Sequence, residues 1–342
     1  MKETMVVVKR GNHIESTHAG SIAVVDRHGN LLYGLGDITR MTFTRSALKP
    51  VQAIPVLQSG AAERFLMTDK EIAICCGSHN GEEQHTQVVN SMLFRIGLQE
   101  GNLQCGAHPP YNHTHYLEMV RKQVEPSAIH NNCSGKHAGM LALAVHLESD
   151  IDTYHHLEHP VQRKVVEALA ELAEFPEDQM MIGIDGCGVP NFGIPLDKLA
   201  LVFAKFANPE NVQHHSLRQT IKRLTHAMVQ HPEMISGTND FCTELIKVGD
   251  RRVLAKGGAE GVYCLGLIEK GIGIAIKVED GNWRSATPVA VEVLKQLGEL
   301  TPQQERALQS FHLPVITSRK GEAVGSIEPV FQLRAGNTNI IQ

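Results

Sequence analysis

Ser46 and Lys49 stand three residues apart in TFTRSALKP (42–50). On a helical turn, positions i and i+3 face the same way, with Cβ atoms roughly 5–6 Å apart. A serine hydroxyl becomes a nucleophile when a base takes its proton. A lysine is that base only when neutral. The pair therefore has the geometry for acyl transfer. Taken alone it is better read as a lysine at a helix start, because S-x-x-K matches arise often by chance. Thr44 suits an N-cap, which would place Ser46 in the first turn with its backbone N–H available to an oxyanion. Pro50 fits if the regular helix begins there.

Four further polar, glycine-rich stretches accompany it: CCGSHNGE (75–82), NNCSGKHAG (131–139), GIDGCGVPN (183–191) and AKGGAEGV (255–262). Each alone reads as a turn. Their order is more specific. Ser46-Ala-Leu-Lys49, Ser78-His-Asn80 and Lys256-Gly-Gly258 follow the S-x-x-K, S-D-N, K-T-G order of the penicillin-recognising enzymes. Two Ser–Lys pairs become possible, Ser46 with Lys49 and Ser78 with Lys256. Ammonium groups brought close together lower at least one lysine pKa. Cys133, Lys136, His137 and Cys187 suggest a metal, although they form no C-x-x-C finger. Buried thiols in glycine-rich turns explain the cysteines equally well.

The elements that must position these groups change type along the chain. Met5–Lys9, Gly20–Val25 and Leu31–Leu35 read as strands, the last two joined over the turn signal DRHGN (26–30). Helical spacing runs through 46–58, 82–96, 137–147, 158–174, 196–206 and 213–230. Strands return at Val253–Lys256, Val262–Glu269 and Ile272–Val278, then a helix over 285–298 and a last strand in 327–342. This predicts an α+β fold with a sheet built from both chain ends and an inserted helical lobe. The expected division is one catalytic domain, 1–342, with a sheet lobe (1–44 plus 250–342) and a helical lobe (45–249).

Composition narrows the function. The 342 residues are 42% hydrophobic and 20% charged, with a net charge of −5. No Lys/Arg-rich run is present, which argues against nucleic acid and anionic membranes as partners. The apolar run Met5–Val8 is too short for a signal-peptide core, and no stretch is long enough to span a membrane. A cytoplasmic location is expected. Seven cysteines without a tight framework favour thiols or metal ligands over disulfides.

RGNHIESTHAGSIAVVD (10–26), TRSALKPVQ, GSHNGEEQH, NNCSGKHAGM, GIDGCGVPN and KGGAEGV together resemble the Rhizobium-type (asparaginase II family, class 3) L-asparaginases, from about Arg10 to about Asp280. The resemblance implies a serine-β-lactamase-like fold, a homodimer and hydrolysis of L-asparagine to L-aspartate and ammonia. It implies Ser46 as nucleophile, Lys49 as its base, and Ser78 with Lys256 as a second tandem. It implies a zinc ion on Cys133, Lys136 and Cys187. Arg45, His137 and Asp185 would line the amino-acid end of the substrate. A zwitterion needs a cation and an anion, and Arg45 suits its carboxylate and Asp185 its ammonium. Thr44 departs from the serine often found there, though both cap helices. His79 and His85 lack H-E-x-x-H spacing. Glu15, Ser16 and Glu260 lie inside the motifs and read as supporting residues. The rival readings are a penicillin-recognising hydrolase or esterase of this fold, and a non-catalytic amino-acid-binding relative.

Overall fold

The computed structural model describes residues 3–336. The chain divides into two compact units. The first comprises the chain through Ala47, Ile194–Asn211 and the chain from Glu244 onward. The second comprises Leu48–Gly193 and Val212–Thr243. No helix among the described residues is long and apolar enough to cross a membrane.

The first unit is built on an antiparallel sheet. Its strands follow one another in the order Val315–Thr317, Ala323–Pro329, Glu3–Arg10, His13–Asp26, Ile272–Val278, Val262–Leu267 and Val253–Gly258. Leu31–Leu35 also pairs with His13–Asp26 and carries the short strand Arg334–Ala335. Both chain ends thus meet in one sheet, as the strand pattern predicts. The β-branched run Met5–Val8 is buried. The predicted last strand falls at Ala323–Pro329, and residues 337–342 lie outside the described region.

Helix Leu196–Ala207 belongs to this sheet unit, whereas the sequence reading leaves it in the helical lobe. The reason is packing. The helix buries Leu199 through Ala207 almost completely and lies on Ile272–Val278 and His13–Asp26. A side chain at Gly273 would come within 1.9 Å of the Ala200 carbonyl, so glycine permits backbone-to-backbone approach here. A sheet face needs an apolar cover, and periodicity alone does not say which helix supplies it. The outermost unit breaks fall at 47/48 and 243/244, against expected positions near 44 and 250.

The second unit is helical. Lys49–Gln58 and Ser134–His146 are buried along most of their length. Asp69–Cys75, Pro160–Ala173 and His215–Gln230 pack on Lys49–Gln58, and Glu83–Arg95 packs on Ser134–His146. Thr68 and Glu71 form a reciprocal capping box at the start of Asp69–Cys75. Met181–Ile184 pairs antiparallel with Pro190–Pro195, turning through 185–189. That hairpin is not apparent from the sequence, where glycines interrupt the alternation.

Candidate active site

Ser46 lies in a 3-10 turn, Arg45–Leu48, and the α-helix begins only at Lys49. The Ala47 N–H donates to the Thr44 carbonyl at 3.2 Å. This corrects the expectation of Ser46 in the first turn of an α-helix capped by Thr44. Pro50 is the cause. It has no N–H to give to the carbonyl of residue 46 and its ring clashes with that turn. The regular helix therefore starts with proline in its first turn.

In the first unit, the end of strand Val253–Gly258 presses against this turn. A side chain at Gly258 would come within 3.1 Å of Ala47 N and of the Thr44 carbonyl. Lys256, on the same strand, is buried and donates to the Gly257 carbonyl at 2.7 Å. Arg45 (φ 48°) and Glu260 (φ 60°) both hold left-handed backbone, which costs a non-glycine residue on the order of 1–3 kcal/mol. Their side chains face each other, Arg45 NH1 4.0 Å from Glu260 Oε1. The Glu260 side chain is 68% exposed, and such a pair returns only about 0–1 kcal/mol. The pair does not offset the strain of the two backbones that carry it.

In the second unit, Lys49 is buried and its ammonium nitrogen meets three oxygens: the Gly77 carbonyl at 2.7 Å, Ser78 Oγ at 2.9 Å and the Asn132 carbonyl at 3.0 Å. Ser78, which the sequence reading pairs with Lys256, is hydrogen-bonded to Lys49. The arrangement serves both protonation states. An ammonium has three hydrogens for three acceptors. A neutral amine gives its two hydrogens to the carbonyls and keeps its lone pair for an incoming proton once the Ser78 hydroxyl turns away. The Ser78 N–H is held by the Ile235 carbonyl at 2.7 Å.

Two buried histidines brace this loop. His79 Nδ1 accepts the Gly81 N–H at 3.2 Å and Nε2 donates to Ser134 Oγ at 2.9 Å, which donates to the Ile129 carbonyl at 2.9 Å. His85 Nδ1 accepts the Glu82 N–H at 3.1 Å, and Nε2 donates to the Glu233 carbonyl at 2.9 Å. The rings stack 4.9 Å apart. Burial holds both pKa values below the usual imidazole value, His79 far below. Glu82 receives Asn112, Gln84 and both the N–H and hydroxyl of Thr238. Sequence spacing sets these histidines aside as ligands, and their contacts make them struts.

Cys133, at the N-cap of Ser134–His146, and Asp185 and Cys187, in the hairpin turn, bring their ligand atoms within 4.8 Å of one another. Lys136 Nζ lies 2.9 Å from Cys187 Sγ. The hydrogen bond from the Cys187 thiol holds Cys133 well below the usual thiol value, against burial and with help from the Lys49 and Lys136 charges. Cys187 is raised, by donating that bond and by burial. Burial pulls Lys136 down, but the two sulfurs outweigh it and its pKa ends above the ordinary value. Two buried sulfurs, a buried amine and a half-buried carboxylate in one cluster fit the soft, four-coordinate preferences of zinc. Asp185, expected to pair with a substrate ammonium, offers its carboxylate within 4.8 Å of both sulfurs.

His137 is completely buried. The Tyr154 hydroxyl oxygen accepts the Gln104 N–H at 3.0 Å and lies 2.6 Å from His137 Nδ1. If Tyr154 donates to Nδ1, His137 carries its proton on Nε2 and leaves one unpaired group, the Nε2–H. The opposite tautomer strands both the Tyr154 hydrogen and the Nε2 lone pair. The first arrangement costs less, so His137 presents a donor. That separates it from Lys136, which sits against the sulfurs. Tyr154 belongs to none of the glycine-rich stretches, and no local signal in TYHHLEH (153–159) points to it.

The sheet from both chain ends and the polar loops define an α+β protein equipped with serine, lysine and sulfur chemistry. The chain belongs to the L-asparaginase II family, whose model matches residues 6–329, and is an asparaginase-like hydrolase by family. No curated protein matches it. Among solved structures it is similar to a β-lactamase from Mycobacterium bovis (13% identity, TM-score 0.43, 81% of this chain and 94% of that one). It is also similar to Mglu in its tris and glutamate form (14% identity, TM-score 0.38, 82% of this chain and 59% of that one). A third is the D-alanine carboxypeptidase AmpC from Burkholderia cenocepacia (12% identity, TM-score 0.37, 86% and 92%).

Proposed function

We propose that the protein hydrolyses L-asparagine to L-aspartate and ammonia through a seryl ester. Family membership supports the amidohydrolase class. Within the site, the observation that carries the reading is the three-acceptor environment of Lys49, which accommodates the lysine before and after it takes a proton.

In this reading Ser46 Oγ attacks the side-chain amide carbon and its proton passes to Lys49. The tetrahedral intermediate collapses, the C–N bond breaks, and Lys49 returns the proton to the leaving ammonia. Water then attacks the ester carbon, giving a proton to the same base. The bond to Ser46 breaks, aspartate leaves and the serine is restored. The Lys49–Ser78 hydrogen bond supports a link from the first tandem to the second, in which Ser78 and Lys256 relay protons or tune the base. Arg45 receives the substrate carboxylate, and the His137 Nε2–H donates to a substrate oxygen. Cys133, Lys136 and Cys187 would hold zinc, with Asp185 beside them. A lysine ligand releases its proton on binding. When bound, the ion supplies a positive charge that polarises or orients the substrate. The same reading carries the homodimer implied by the resemblance and the cytoplasmic location expected from the sequence.

Ammonia release from L-asparagine, with L-glutamine as comparison, tests the proposal directly. Ser46→Ala is expected to lower kcat by roughly 10⁴-fold or more while the protein keeps its thermal transition. Near-normal turnover in that variant would remove Ser46 as nucleophile. Elemental analysis of protein purified with added zinc tests the metal assignment, and sub-stoichiometric zinc would end it.

A further inference from the structure

The amide-hydrolysis reading calls for a carboxylate partner to the substrate's ammonium, and Asp185, one candidate, is shared with the sulfur cluster. We propose that Glu260 is that partner, and that Arg45 and Glu260 together form a reader of the α-amino-acid zwitterion. The proposal rests on the reading above for the position of the substrate.

An α-carboxylate and an α-ammonium sit on one carbon, so their protein partners must be neighbours of opposite charge. Arg45 and Glu260 are such neighbours, 4.0 Å apart. Both belong to the unit that contains Ser46, and Arg45 is next to Ser46 in the chain. The first carboxylate oxygen faces Arg45. The second lies over Gly281, where a side chain would come within 2.5 Å of it. Glycine at 281 therefore keeps the seat of this carboxylate clear. The Glu260 turn is also pinned from below: the Lys277 ammonium donates to the Glu260 carbonyl, and to the Val278 carbonyl at 2.7 Å. Gly258, two residues earlier, holds the turn against Thr44–Ala47.

Both partners sit on strained backbone, and an exposed pair of this kind does little for stability. Strain of this sort persists at ligand clamps. Without substrate, each charge screens the other. When the zwitterion enters, its carboxylate takes Arg45 and its ammonium takes Glu260, so neither protein charge loses a partner. An amide lacking the α-ammonium would occupy Arg45 and leave Glu260 facing nothing, which builds discrimination by an unpaired group.

Calorimetric titration of L-aspartate and of succinate, which lacks the ammonium, into wild-type protein and Glu260→Gln tests this. Wild type is expected to bind aspartate at least tenfold more tightly than succinate, and Glu260→Gln to reduce that preference to within twofold. Glu260→Asp should keep part of it. A preference unchanged in Glu260→Gln overturns the proposal, as does wild type that shows none. Ammonia release measured on the same preparations reports separately on the reading beneath. Turnover of asparagine with a Glu260-independent preference removes Glu260 alone. A Glu260-dependent preference without ammonia release removes the hydrolase reading alone.

Discussion

Lys49 shows how much a single buried amine organises. It ties the Gly77 carbonyl, Ser78 and the Asn132 carbonyl, none of which is near it in sequence. Lys49→Met should therefore do more than stop turnover. It strands two carbonyls, each at a cost of about 1–3 kcal/mol, and urea denaturation should report a loss of about 2–6 kcal/mol in all. His79 supports a pH prediction. Its folded pKa is depressed by burial, so the stability from its neutral form is complete above the unfolded value near 6.5 and is lost as pH falls below it. From pH 7.5 to 5.5 one such histidine removes about 1.4 kcal/mol. His79→Asn is expected to start less stable and to lose less by about that amount on acidification. An identical pH slope in the two proteins would show that His79 does not titrate on unfolding.

At the level of elements, the sulfur cluster joins the N-terminus of helix Ser134–His146 to the turn between two strands of a hairpin. A metal held there clamps the two together, and a ligand that binds only the folded chain stabilises it by mass action. Zinc at 100 times its dissociation constant is expected to add about 2.7 kcal/mol, seen as a rise in Tm that a chelator reverses. Cys187→Ser should abolish both the stoichiometric zinc and the rise. A zinc-dependent rise that survives in Cys187→Ser would place the ion elsewhere. The 3-10 turn of Ser46 is the other element where local chemistry decides: Pro50 sets where the α-helix starts, and that determines the backbone around the serine.

For the molecule as a whole, the closing of the sheet by both chain ends is the dominant fact. Ending the chain at Pro314 removes Ala323–Pro329, leaving Glu3–Arg10 as an uncovered edge rich in β-branched residues. Such edges invite pairing with other chains. The shortened protein is expected to be mostly in aggregates by size-exclusion chromatography, and a soluble species with native helix content would contradict this. The α+β class, the sheet from both ends and the five polar stretches were all legible in the sequence, because hydrophobic period and glycine punctuation are local properties. Motif order put forward Ser46, Lys49, Ser78 and Lys256 as candidates, and the resemblance added Cys133, Lys136 and Cys187 as metal ligands. Contacts across long stretches of chain were not legible. That Lys49 meets Ser78, that Asp185 joins the sulfurs, that Tyr154 orients His137, and that Leu196–Ala207 covers the sheet each depend on packing between distant segments. The sequence by itself determined which chemical groups the protein carries. Only the tertiary structure decided which of them touch, because burial and hydrogen-bond satisfaction are settled by the whole fold rather than by neighbours in the chain.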